Sequence, residues 1–91
     1  MIMTKEDLQK NIDFDKSGID RFPSPVKELA EQRVRIFEDV LGNYEDAEQA
    51  DCYCRKQIAT FKAIAGVLCP LDQAKFCINL YHEILGEEEE E

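Results

Sequence analysis

Apolar residues recur at intervals of three and four along most of this chain, which is the spacing of one face of an α-helix. The repeat is clearest over residues 24–42, 43–68 and 71–85. No segment shows the sustained alternation of apolar and polar residues that is typical of a half-buried β-strand. The pattern therefore predicts an all-α protein with three main helices.

A shorter helix is predicted near the N-terminus. Thr4 is its expected N-cap, and Asp7, three residues later, completes a capping box. Leu8 and Ile12 share the apolar face of this helix, and we expect it to end near Asn11. So short a helix is unstable alone and must pack on the rest of the chain.

Residues 13–23 are predicted to form a loop, because Gly18 and Pro23 interrupt the helical pattern there. Three apolar side chains in this segment are expected to fold back and anchor the loop on the bundle. They are Phe14, Ile19 and Phe22.

Cap residues mark the ends of the three long helices. The first is expected to begin with Ser24 as N-cap and Pro25 at the first helical position, where its missing N–H loses no hydrogen bond. Gly42 is expected to end that helix in the left-handed conformation. The second is predicted from Asn43, its N-cap, to about Leu68. The apolar face of this second helix comprises Ala47, Ala50, Cys54, Ile58, Phe61, Ile64, Ala65 and Leu68.

Pro70 separates the second long helix from the third, which is predicted over residues 71–85 and ended by Gly86. The connections between the long helices are very short, which makes neighbouring helices antiparallel. We therefore expect a small antiparallel three-helix bundle with a short N-terminal helix and an anchored loop. Residues 1–86 form a single domain in this interpretation, and residues 87–91 form an acidic tail.

Charge is concentrated in two short segments. The 91 residues carry a formal net charge of −9. The run 38–51 holds six acids and no base, and the last five residues are all glutamate. The six acids of the run, which we call the acidic pole, are Glu38, Asp39, Glu45, Asp46, Glu48 and Asp51. Clustered charge of one sign raises the local potential and the rate of association with a partner of opposite sign.

Composition disfavours several functional classes. A protein that binds duplex nucleic acid directly needs an excess of positive charge, which this chain lacks. With one histidine and no tryptophan, the chain has few of the side chains that form catalytic sites, so we expect no enzyme and no cofactor. No apolar run approaches the roughly 20 residues that span a bilayer, and no signal-peptide core is visible. The expectation is a cytoplasmic protein without membrane contact.

Two sequence patterns resemble metal sites but lack essential ligands. Asp13, Asp15, Ser17 and Gly18 match the first half of an EF-hand calcium loop, but Ser24 stands where the bidentate glutamate should be. At most a weak calcium site is compatible with that pattern. A turn with its own hydrogen bonds explains the residues more simply.

The four cysteines lack the paired spacing of a zinc site. Cys52 and Cys54 lie about 200° apart around a helix and cannot share a metal. We expect the cysteines to be small buried hydrophobic residues. His82 is expected on the surface of the last helix.

The leading functional hypothesis is a non-enzymatic protein-binding module. Its acidic pole would dock on the basic, nucleic-acid-binding surface of a larger protein and inhibit or modulate it by mimicking DNA charge. Small acidic proteins of mobile elements that block host nucleases provide the analogy, which rests on size and charge alone.

Two alternatives use other surfaces. One is an adaptor or structural subunit that binds a partner helix through a hydrophobic groove, with Ile36, Tyr53 or Leu80 exposed. The other is a homo-oligomer such as a two-fold dimer.

Overall fold

The computed structural model of this chain describes residues 1–87, and these are helical apart from short connections. The elements are α1 (Lys5–Gly18), a 3₁₀ turn (Ile19–Arg21), α2 (Val26–Gly42), α3 (Ala47–Ile64) and α4 (Leu71–Leu85). Within the described range there is no β-strand, and one isolated bridge joins Ala65 to Cys69. The all-α prediction is confirmed. No helix among these is long and apolar enough to cross a membrane.

Helix α1 is longer than the sequence predicted. The capping box is confirmed: the Thr4 hydroxyl accepts from the Asp7 N–H at 3.1 Å, and the Asp7 carboxylate accepts from the Thr4 N–H at 3.4 Å. The helix then continues to Gly18, so the predicted end near Asn11 and the loop from residue 13 are wrong. Phe14 is not an anchor, because 78% of it is exposed.

The ends of α2 and α3 also differ from the prediction. Pro25, not Ser24, is the N-cap of α2, and the Ser24 hydroxyl bonds the Glu28 carboxylate instead. Gly42 is the last helical residue and does not adopt the left-handed conformation. Helix α3 begins after Asp46, whose side chain accepts from the Gln49 N–H at 2.8 Å.

The predicted C-terminal end is wrong for α3 and correct for α4. Helix α3 ends at Ile64, four residues before the predicted limit at Leu68. Helix α4 has the predicted bounds, and Gly86 caps it with φ of 74°. A side chain at Gly86 would place its Cβ 2.2 Å from the Met1 carbonyl oxygen. Glycine is therefore required there by both conformation and space.

The four helices pack mainly as two pairs, α1 with α2 and α3 with α4, and α2 also contacts α4. Their shared core contains the fully buried side chains of Leu8, Ile12, Phe37, Val40, Cys54 and Ile84. Helix α1 supplies two of these six, so it is a full member of the bundle. The packing therefore differs from the prediction, in which the N-terminal helix was a minor element beside a three-helix core.

Arg33 on α2 ties α1 and α4 to its own helix. Its Nε donates to the Asp15 carboxylate at 2.9 Å, and its two terminal nitrogens donate to the two Glu83 carboxylate oxygens, one of them at 3.2 Å. The same guanidinium donates to the Asn11 amide oxygen and lies 4.4 Å from the ring centroid of Phe37. Bidentate charge-assisted bonds of this kind are stronger than ordinary ones.

Candidate functional site

The acidic pole spans the C-terminal end of α2, the turn that follows it and the N-terminal half of α3. Several of its acids make contacts within the protein. Glu38 forms an exposed ion pair with Lys16 at 3.1 Å. Asp46 caps α3, and Asp51 pairs with Arg55 at 2.7 Å. Their roles as partner-binding residues stay predictions.

Asp39 is the most deeply engaged acid of the six. Its carboxylate accepts from the Tyr53 hydroxyl at 2.7 Å and from the Tyr81 hydroxyl at 3.4 Å. Gln57 in turn donates to the Tyr53 oxygen at 2.8 Å. Burial, reinforced by the Asp39 charge, raises the pKa of both tyrosines, so both stay protonated donors at neutral pH. Asp39 therefore connects α2 to α3 and α4.

Glu45 and Glu48 remain the most available acids of the pole. Both are exposed, and within residues 1–87 neither carboxylate forms an ion pair. They lie three residues apart around the start of α3, where the helix dipole favours negative charge. Of the predicted acidic tail, only Glu87 is described: it pairs with Arg55 at 3.0 Å. Residues 88–91 lie outside the described range.

The calcium-like segment has helical geometry. Asp13 and Asp15 belong to α1, where Asp13 accepts from Gln9 and Asp15 accepts from Arg33. A calcium loop must instead curl around the ion. Across residues 1–87, no three His, Cys, Asp or Glu side chains come together as a metal site requires.

The four cysteines differ in exposure: none forms a disulfide, and Cys69 is partly exposed. Cys54 and Cys77 are buried as predicted, whereas Cys52 is exposed. Burial raises the pKa of Cys54 to about 12, so its thiol is protonated and unreactive at neutral pH. His82 is also buried, with 6% of its surface exposed, so the prediction of a surface histidine is wrong.

An exposed apolar surface lies instead at the turn between α3 and α4. Val67 is 80% exposed and Leu68 is 82% exposed, and we call this pair the hairpin tip. Leu71, the first residue of α4, is exposed beside it. Apolar side chains this exposed bury almost nothing within the chain.

Backbone hydrogen bonds hold the hairpin tip in place. The Val67 and Leu68 N–H groups both donate to the Ile64 carbonyl at 3.0 Å. The Gly66 N–H donates to the Cys69 carbonyl at 2.8 Å and closes the turn. Gly66 has φ of 77°, a conformation that favours glycine. The tip is therefore a defined turn that displays two apolar side chains.

A shallow groove of about 410 Å³ lies between α2 and α4. Its walls are formed by Leu29, Gln32, Asp72, Gln73 and Phe76. The Gln32 amide donates to the Cys77 sulfur at 3.3 Å and holds the two helices together beneath it. On the α2 side of the groove, Leu29 is 46% exposed.

The apolar residues assigned to the adaptor alternative are in other positions. Ile36 and Leu80 are buried in the core, and Tyr53 is half-buried in the Asp39 network. None of the three forms an exposed groove. Among the described residues, Val67 and Leu68 form the one pair of adjacent, strongly exposed apolar side chains, and the periodicity assigned Leu68 to a helix.

Comparison with models of known protein families, with curated proteins and with solved structures found no match for this chain.

Proposed function

We propose that this protein is a non-enzymatic protein-binding module that inserts its hairpin tip into an apolar pocket of a partner protein. The observation that carries the proposal is the 80% and 82% exposure of Val67 and Leu68. Surface apolar residues are common singly, but two adjacent ones at the tip of a tight turn are unusual.

The residue types in the turn favour a binding role over a folding role. Tight turns select Gly, Asn, Asp, Ser and Pro because these supply the needed conformations and local hydrogen bonds. Val67 and Leu68 supply neither, and the turn is closed by backbone groups that any residue would provide. Full burial of each side chain in a partner would contribute about 1.5–3 kcal/mol. That gain is absent in the isolated chain.

The rigid geometry of the turn supports the same function. A loop that is already ordered loses less conformational entropy when it binds than a disordered loop does. The bonds to the Ile64 and Cys69 carbonyls hold the tip in one conformation before any partner arrives. Its pair of side chains is suited to a pocket between helices of another protein.

Paired serine substitutions test the role of the tip. Val67→Ser with Leu68→Ser should leave the unfolding midpoint nearly unchanged, because the side chains bury little. The same variant should lose binding of the physiological partner by at least tenfold. Phe14→Ser is the matched control, since Phe14 is equally exposed but lies on α1. Equal retention of the partner by all three proteins would contradict the proposal.

A second candidate function rests on Glu45 and Glu48, the exposed acids of the acidic pole whose carboxylates, within residues 1–87, form neither an ion pair nor a helix cap. In this candidate the acidic pole docks on the basic, nucleic-acid-binding surface of a larger protein and occludes it. Binding would then weaken steeply with salt, because exposed charges are screened. Changing both residues to lysine should abolish binding in this candidate and spare it when the hairpin tip is the contact.

A further inference from the structure

The shallow groove between α2 and α4 continues onto the outer face of α2. A second hollow there, of about 240 Å³, is lined by Glu28, Glu31, Gln32, Arg35 and Gln73. Gln32 and Gln73 line the first hollow as well, so the two hollows adjoin. We call the two together the α2–α4 groove. Along α2 it extends from position 28 to position 35, which is two helical turns and about 10.5 Å.

One half of the α2–α4 groove has apolar walls from both helices. Leu29 on α2 is 46% exposed, and Phe76 on α4 is half-buried against the core. Both side chains line the same hollow. Covering an exposed apolar side chain is favourable because it removes apolar surface from water. This half of the groove therefore favours a ligand with a bulky apolar side chain.

The charged side chains that line the groove have a surplus of negative charge. They are three carboxylates and one guanidinium: Glu28, Glu31, Asp72 and Arg35. Within residues 1–87, neither the Glu31 nor the Asp72 carboxylate forms an ion pair, so both are available to a charged donor. Lys27 and Lys75 belong to the same two helices but line neither hollow. Charge complementarity therefore favours a cationic ligand.

We propose that the α2–α4 groove binds an amphipathic, basic helix of a partner protein. A helix that lies in a groove between two others uses side chains three and four residues apart on one face. An apolar side chain of the partner helix enters the hollow that Leu29 and Phe76 line. Lysine or arginine side chains one turn away on either side pair with the carboxylates of Glu31 and Asp72. Two turns of the partner helix match the groove length of about 10.5 Å.

A basic partner fits the groove better than a second copy of this chain does. Two copies bring the same surplus of carboxylates together, and each copy carries a net charge of −9. Like charges oppose association, whereas opposite charges raise the rate at which a basic partner reaches the groove. The hairpin tip lines neither hollow, so this inference stands independently of the proposed function.

A titration of the isotope-labelled full-length chain with a synthetic peptide, followed by NMR, tests the proposal. The peptide is an alanine-based helix with one leucine, a lysine four residues before it and a lysine three residues after it. The side-chain amide signals of Gln32 and Gln73 report on the groove, because both residues line it. We expect saturable shifts of these signals. A matched peptide with glutamate in place of both lysines should bind at least fivefold more weakly.

Two variants of the protein separate the apolar contribution from the charged one. Leu29→Ser should weaken binding of the lysine peptide at least fivefold, and so should Glu31→Gln combined with Asp72→Asn. The matched control is Glu45→Gln combined with Glu48→Gln, which removes two exposed charges from the acidic pole. Its affinity should stay within twofold of the native chain. Backbone amide spectra verify that each variant is folded.

Three results of the titration would overturn the proposal. They are a lysine peptide without saturable shifts, a glutamate peptide that binds equally well, and a control variant that loses as much affinity as the groove variants. A fourth comes from the protein alone. Shifts of the Gln32 and Gln73 signals that grow with protein concentration and vanish in Leu29→Ser would assign the groove to a second copy, and not to a basic partner.

Discussion

The hydroxyl of Tyr53 on α3 donates to the carboxylate of Asp39 on α2 at 2.7 Å. This contact changes the interpretation of the acidic pole. An acid in the last turn of a helix opposes the helix dipole, and such a position favours a role outside the helix itself. For Asp39 the structure shows that role within the protein: the carboxylate accepts from tyrosines on two other helices.

Removal of the Asp39 carboxylate should destabilise the fold. Asp39→Ala leaves the hydroxyl of buried Tyr81 without this acceptor and should lower the free energy of unfolding by roughly 1.5–3 kcal/mol. Urea denaturation followed by circular dichroism measures the change. Glu38→Ala is the matched control, since its ion pair with Lys16 is exposed and should contribute less than about 0.5 kcal/mol. Equal losses in the two variants would show that the Asp39 network adds nothing specific.

Arg33 should be far more important for stability than its neighbour Arg35. Arg33→Ala removes the bonds to exposed Glu83 and to Asp15, and leaves the partly buried Asp15 carboxylate without this donor, at a cost of about 1.5–3 kcal/mol. Arg33→Lys should recover little, because an ammonium cannot make the forked contact. Arg35 is exposed on the same helix, so Arg35→Ala should change the unfolding midpoint only slightly. Thermal melts of the three variants make the comparison, and similar shifts for Arg33 and Arg35 would refute it.

Stability should fall at alkaline pH because of the thiol of Cys54. Burial raises the pKa of this thiol from its ordinary value of 9.0 to about 12 in the folded protein. Above pH 9 the unfolded chain releases this proton while the folded chain retains it, so ionisation favours unfolding. The stabilisation is complete below pH 9 and is lost as pH rises through about 12, with roughly 1–2 kcal/mol lost by pH 10.5.

A pair of cysteine variants isolates that contribution. Denaturation curves from pH 8 to pH 10.5 should show a flatter pH dependence for Cys54→Ala than for the native chain. Cys52→Ala removes an exposed thiol and should keep the native slope. Tyr53 and Tyr81 act in the same direction at higher pH, so some slope should persist in every variant. An unchanged slope in Cys54→Ala would contradict the assignment.

Sequence signals that start or stop a helix within a single turn predicted several helix ends. The capping box at Thr4, the bounds of α4 and the end of that helix at Gly86 were all predicted correctly. The prediction failed at Asn11, because α1 continues for about two more turns to Gly18 and side chains in that stretch bond other elements. Asp15 is held by Arg33, eighteen residues away, and periodicity carries no signal of such a contact.

The candidate site was the part that sequence reasoning missed. The apolar repeat placed Leu68 on the buried face of a helix, but that helix ends at Ile64 and leaves Leu68 in the turn. Gly66, followed four residues later by Pro70, is the signal that identifies the turn. The apolar repeat runs across this signal, because Leu68 lies four residues after Ile64 and so keeps the spacing of one helix face.

Site-specific photo-crosslinking in cells of the native source tests the central claim most directly. A photoreactive residue replaces Leu68 in one protein and Phe14 in another, and the adducts are separated and identified by mass spectrometry. Insertion of the hairpin tip into a partner predicts one dominant adduct from position 68, to a different protein, and none from position 14. The same adducts from both positions, no adduct at all, or only a second copy of this chain at position 68 would contradict the account.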